Sequence, residues 1–225
     1  MGWEEKYRYE ATSVEGFVQQ LAVSYLKNGY WFYVQGEVPP EKDPRSVDDK
    51  LLARYGMARS KWAKARAKGR GEAKLQYLRF RSTFLLLATH GDHVFFEAEK
   101  ASIRDARERP VNFYGYSIGY RDGHPYVRIA SAQYRELAEA FLSAALTTPT
   151  DVLAARFRAL PFEPYGPVRL QLSRLLRRVN EVRRGAGMGR IDQSVLRTKR
   201  KTVRPFEARP APEAPGLAPR GWDSI

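Results

Sequence analysis

His90 and His93 stand on either side of Gly91-Asp92, after the apolar run Phe84 to Ala88 and before Val94-Phe95-Phe96. A two-residue turn between two strands would set the imidazoles opposite each other, with Cβ atoms about 4.5–5.5 Å apart. Paired neutral imidazoles suit Zn²⁺, Mn²⁺ or Fe²⁺, so a divalent metal ion is the cofactor that this pair implies. With a third ligand it would form a phosphodiester-cleaving centre. Glu97, Glu99, Asp105 and His124 are the nearest candidates in the chain. Glu97 lies four residues beyond His93, about 13 Å along a strand, too far to share the ion unaided. The plainer reading is that both histidines flank a solvent-facing turn, where polar residues are common.

Tyr134 lies downstream in a helical pattern, where its hydroxyl could serve as a nucleophile. Sheet histidines followed by a helical tyrosine resemble the layout of the HUH single-strand nucleases, which hold a metal with the histidines and attack phosphate with the tyrosine. That family keeps one residue between its histidines, and no such pair occurs here, so its activity is not carried over. Tyr134 also falls in register with Leu137, Ala138 and Phe141, the pattern of core packing. The glycines of Gly185-Ala186-Gly187-Met188-Gly189 follow a helix rather than a strand, which suits a helix stop and not a phosphate loop. There is no Walker lysine motif and no nucleophile elbow.

Lysine and arginine carry the stronger signal. They number 39 against 25 acidic residues, a net charge of +14. Between Leu51 and Arg81 ten basic residues face Glu72 alone, and between Tyr165 and Arg204 twelve face only Glu181 and Asp192. The remainder is net acidic, so the excess sits in two blocks. Such blocks point to nucleic acid, DNA or RNA, bound mainly through its phosphates. The first block offers Lys61, Trp62, Lys64, Arg66, Lys68 and Arg70, with Trp62 placed either to stack a base or to anchor its helix. The second offers Arg174, Arg177, Arg178, Arg183 and Arg184, then Arg197, Lys199, Arg200 and Lys201. Anionic membrane fits poorly, because neither block has the Trp, Phe and Leu face of an interfacial helix. The leading expectation is therefore a nucleic-acid-binding protein of replication, mobile-element or nucleoprotein function. The alternatives are a metal-dependent nuclease using His90 and His93, and a structural subunit of a ribonucleoprotein.

A chain of 225 residues that is 43% hydrophobic and 12% aromatic can bury a core and is not of the disordered class. The absence of cysteine excludes disulfides and thiolate metal sites and fits a reducing compartment, so a cytoplasmic location is expected. Met1 to Lys6 lacks the apolar core of a signal peptide, and the longest strongly apolar run, Phe84 to Ala88, falls far short of the ~20 residues that span a membrane.

These side chains need a scaffold. Helical spacing from Val14 to Tyr25, with Ser13 as cap and Asn28-Gly29 as stop, predicts a first helix. Tyr30 to Gly36 reads as a strand, and Asp43-Pro44 opens a helix that Gly56 closes. Ser60 could cap a further basic helix from Lys61 to Lys68. Strand patterns run from Leu75 to Glu97 with a hairpin at Gly91-Asp92, then from Val111 to Tyr120 and His124 to Ile129 around Asp122-Gly123. A charged helix is expected from about Lys100 to Arg107, and another from a Ser131 cap. Thr150 or Asp151 to Leu160 and Val168 to Arg184 are helical, the latter with a stripe of Val168, Leu172, Leu175, Leu176, Val179 and Val182. The expected fold is α+β, a mostly antiparallel sheet of about five strands with helices packed on it. Its core would span 1–148 with a basic insertion near 57–74. A helical basic region over 149–190 would follow, then a basic arm and a flexible, Pro-rich tail over 191–225.

Overall fold

A computed structural model describes residues 7–57 and 69–207. Lys61, Trp62, Lys64, Arg66 and Lys68 of the first basic block, and the Pro-rich tail, lie outside the described residues.

Ser13 caps helix α1 (Val14–Gln19) by accepting from the Gly16 N–H at 3.0 Å. The helix winds on as a π turn (Gln20–Tyr25) and a 3-10 turn, and stops at Gly29, whose φ of 86° favours glycine. Strand β1 (Phe32–Glu37) follows. Asp43 caps α2 (Pro44–Arg54) through the N–H groups of Arg45 and Ser46, with Pro44 at its first position. The chain continues through β2 (Leu75–Phe80), β3 (Thr83–Ala88), the short α3 (Val94–Ala98), β4 (Arg104–Asp105), β5 (Val111–Phe113), β6 (Tyr116–Arg121) and β7 (His124–Ile129). Helices α4 (Ser131–Ser143), α5 (Thr150–Arg158) and α6 (Gly166–Gly185) complete the regular elements used below.

The fold is mixed α+β, as expected, and seven strands among the described residues divide between two antiparallel sheets, β2-β3-β1-β4 and β5-β6-β7. Ala106 joins them: its N–H donates to Trp31 O, and its carbonyl accepts from the Tyr120 N–H. Asp122 and Gly123, with φ of 52° and 79°, make the expected β6–β7 hairpin. A second hairpin turns at Tyr114-Gly115 and splits the run from Val111 to Tyr120, which was expected to be one strand.

Three local expectations are corrected. The hairpin containing β3 turns at Arg81-Ser82, with Phe80 opposite Thr83, and not at Gly91-Asp92. Gly91 instead takes a φ of 129° where the chain passes close by: a Cβ there would lie 2.4 Å from Gly71 O. Residues 100–107 are not helical, because β4 pairs with the free edge of β1 and the Asp105 carboxylate accepts from the Arg107 backbone N–H, a local bond that competes with helix. Helix α4 starts without a side-chain cap at Ala130, and Ser131 is its first residue.

Two apolar clusters hold the layers. The larger runs from Ala11 to Val195 and joins Phe17 and Leu21 of the first helical segment to Leu85, Ile118, Phe141, Leu175 and Val179. Phe157, Val168 and Leu172 belong to the same cluster, so the helices beyond residue 148 share their core with both sheets. The smaller cluster lies under α2 and α3, around Leu52, Tyr77, Leu86 and Phe95. Gln171 of α6 closes the β7 edge like a short strand: its side-chain amide exchanges two hydrogen bonds with the Ile129 backbone, at 2.8 and 3.0 Å. Among the described residues no helix is long and apolar enough to cross a membrane.

Tyrosine hydroxyls seal several layer contacts, which sets an alkaline limit on the fold. Burial pushes Tyr25 up to about 12, and Tyr116 and Tyr77 are raised by burial as well. A hydroxyl whose folded value exceeds its unfolded value of about 10 stabilises the fold fully below pH 10 and progressively less as pH rises toward the folded value. Tyr25 alone, 6% exposed, accounts for about 3 kcal/mol across that window. Circular dichroism should therefore fall between pH 10 and about 12 together with the rise of tyrosinate absorbance. Tyrosines titrating at pH 10 with the ellipticity intact would contradict this.

Candidate nucleic-acid interface

Helix α6 separates apolar from basic along its length. Val168, Leu172, Leu175, Leu176 and Val179 are buried, while Arg174, Arg177, Arg178 and Arg184 are exposed on the opposite face. No ion pair among the described residues involves these four. Arg174 to Arg184 covers about 15 Å of helix axis at 1.5 Å per residue. Glu181 is the one acidic residue of the helix and lies on the same face.

Arg183 departs from the expectation. It is 1% exposed and occupies the end of the apolar stripe where Val182 was expected, while Val182 is 39% exposed. Its guanidinium donates to the carbonyls of Gly189, Ala145 and Thr148 at 2.7, 2.7 and 3.0 Å, and to Thr150 Oγ1 at 2.6 Å. These bonds tie α6 to the turn between α4 and α5 and place a cation at the α4 C-terminus, where the helix dipole favours it. Arg183 is thus a structural clamp, unavailable to phosphate. Arg183→Met should leave three carbonyls without a donor and cost about 3 kcal/mol, read as a lower melting temperature. Unchanged melting with weakened binding to nucleic acid would return Arg183 to the interface.

The segment after α6 lies on the body. Asn180 exchanges two hydrogen bonds with the Ile191 backbone, Arg169 donates to Thr198 O, and Ile191 and Val195 are buried, so the chain runs back along α6. Arg197 is held by Glu163 and the Phe162 carbonyl, and Arg200 by Gln19 and the ring of Tyr165. Gln19 then grips Val203 from both sides, and Pro205 sits against Gly16, where a Cβ would meet its Cα at 3.0 Å. Arg190, Lys199 and Lys201 stay exposed on this segment. Of the first basic block, Arg70 pairs with Glu72 at 2.6 Å.

The histidines do not oppose each other across a hairpin. His90 sits past the end of β3, edge-on to Phe32 with ring centroids 4.8 Å apart. His93 begins α3, its Nδ1 accepting from the Phe95 N–H at 3.1 Å, and faces Tyr55. A shallow depression lined by Gly91, Asp92, His93, Val94, Phe96 and Glu97 opens there. Among the described residues no three His, Asp or Glu side chains gather to hold a metal ion. Tyr134 packs against the larger core cluster and donates to Gln171 O at 3.2 Å, which leaves it no part in a site with the histidines.

A buried charge network went unread in the sequence. Arg79 and Asp48 are 3% and 0% exposed, and Arg79 Nε donates to both carboxylate oxygens at 2.9 and 3.0 Å. The Tyr77 hydroxyl donates to the same carboxylate at 2.6 Å, Glu10 pairs with the guanidinium at 3.1 Å, and Arg79 also donates to Arg81 O. Burial pushes Asp48 up from the ordinary carboxylate value, against the pull of Tyr77 and Arg79. The network joins α2 to β2, with the Asp48–Arg79 pair inside the fold and Glu10 at its exposed edge. No protein-family model and no curated protein matches the chain.

Proposed function

We propose that this protein binds nucleic acid through the phosphate backbone, using the outer face of α6 and the flanking segment that carries Arg190, Lys199 and Lys201. The observation that carries the reading is the row of exposed arginines Arg174, Arg177, Arg178 and Arg184, unpaired among the described residues, on a helix whose opposite side is fixed in the core. Unpaired arginines at a surface repel one another, and a polyanion relieves that repulsion while releasing its own counterions. The segment beside them is already anchored, so little ordering would oppose binding. Fluorescence anisotropy with labelled oligonucleotides over a salt series tests the reading. Affinity should fall linearly on a log–log plot, and absence of binding near physiological salt would contradict it.

A further inference from the structure

We infer that the outer face of α6 takes B-form duplex DNA in preference to a single strand, an inference that rests on the phosphate-binding reading above. At 100° per residue, Arg177 and Arg184 turn about 40° and 60° to one side of Glu181, and Arg174 and Arg178 turn about 20° and 60° to the other. The face is therefore two basic rails with a ridge between them. A duplex presents two phosphate strands with base edges between, whereas a single strand presents one. Glu181 on the ridge would repel a phosphate but can accept from a cytosine amino group in the major groove.

Among the described residues, stacking chemistry is missing from the same face. Single strands are held by exposed rings along a basic groove. The exposed side chains of α6 include Arg169, Leu170, the four arginines, Glu181 and Val182, with no aromatic residue. The nearest ring at its start, Tyr165, is covered by Arg200 at 5.0 Å. The helix is also a convex rod about 10–12 Å across, matched to a major groove about 12 Å wide. The major groove of an RNA duplex is deep and narrow and does not admit such a rod.

The test uses the full chain with three labelled probes of one sequence and length: duplex DNA, one of its strands, and the corresponding RNA duplex. Duplex DNA should bind at least about tenfold tighter than the others near physiological salt. The paired variants Arg177→Gln/Arg184→Gln and Arg174→Gln/Arg178→Gln should each lower the duplex salt slope by about 1.8, since each removes two phosphate contacts. Equal or tighter binding of the single strand or the RNA duplex would overturn the inference and leave the phosphate-binding reading in place. A slope unchanged by one pair would overturn the two-rail geometry. Failure of all three probes to bind would overturn both readings.

Discussion

Arg79→Leu will lower the stability of the fold by about 3–5 kcal/mol, because it leaves the Asp48 carboxylate 0% exposed with its cation gone. Domains of this size are commonly stable by only about 5–15 kcal/mol, so the variant would melt on the order of 10 °C lower. The cost comes from the stranded charge rather than from the pair being intrinsically strong, since a buried pair replaced by apolar groups is often neutral. Asp48→Leu/Arg79→Leu should therefore recover much of the loss, with the Tyr77 hydroxyl and the Arg81 carbonyl left without these partners. Chemical denaturation of the two single variants and the double variant gives the coupling directly. A single-variant loss below about 1 kcal/mol would mean that water reaches Asp48 and that the network is not a core feature.

The larger effect on the proposed binding is expected at α6. Replacing Arg174, Arg177, Arg178 and Arg184 together by glutamine removes four phosphate contacts if each makes one. At about 0.9 in slope per contact, affinity near physiological salt would fall on the order of a thousandfold. These side chains are exposed and point away from the core cluster, so the melting temperature should change little. The same change at Arg183 would do the reverse, lowering stability while leaving the affinity of the folded protein intact. The contrast separates a basic surface from an arginine that happens to be nearby in sequence.

Much of the framework was legible where one residue type dictates one local geometry. Ser13, Asp43-Pro44 and Asp122-Gly123 acted as the cap, helix start and turn that their chemistry implies. The β2–β3 hairpin was not legible, because its turn places Arg81 at a φ of 53° with no glycine to announce it. Gly91 misled for the opposite reason: it is needed for close approach to the chain at Gly71 to Ala73, not for a turn between strands. With the hairpin displaced, His93 became a helix cap and the paired-histidine geometry disappeared. Arg183 illustrates a different limit. Its position, four residues after Val179 and seven after Leu176, continues the apolar stripe, yet its charge marks it as surface. Only the carbonyls of Ala145, Thr148 and Gly189, distant or irregular in the chain, reveal why an arginine is buried there. The Asp48–Arg79 pair is likewise a contact between residues 31 apart that no local pattern encodes.

The outer face of α6 is proposed to meet a phosphate backbone. The most direct measurement is the salt dependence of duplex DNA binding for the wild-type chain and for the variant with Arg174, Arg177, Arg178 and Arg184 changed to glutamine. A linear log–log dependence is expected, with a slope that falls by about 3.6 in the variant at unchanged melting temperature. Equal slopes and affinities for the two proteins would contradict it and place any binding elsewhere on the molecule.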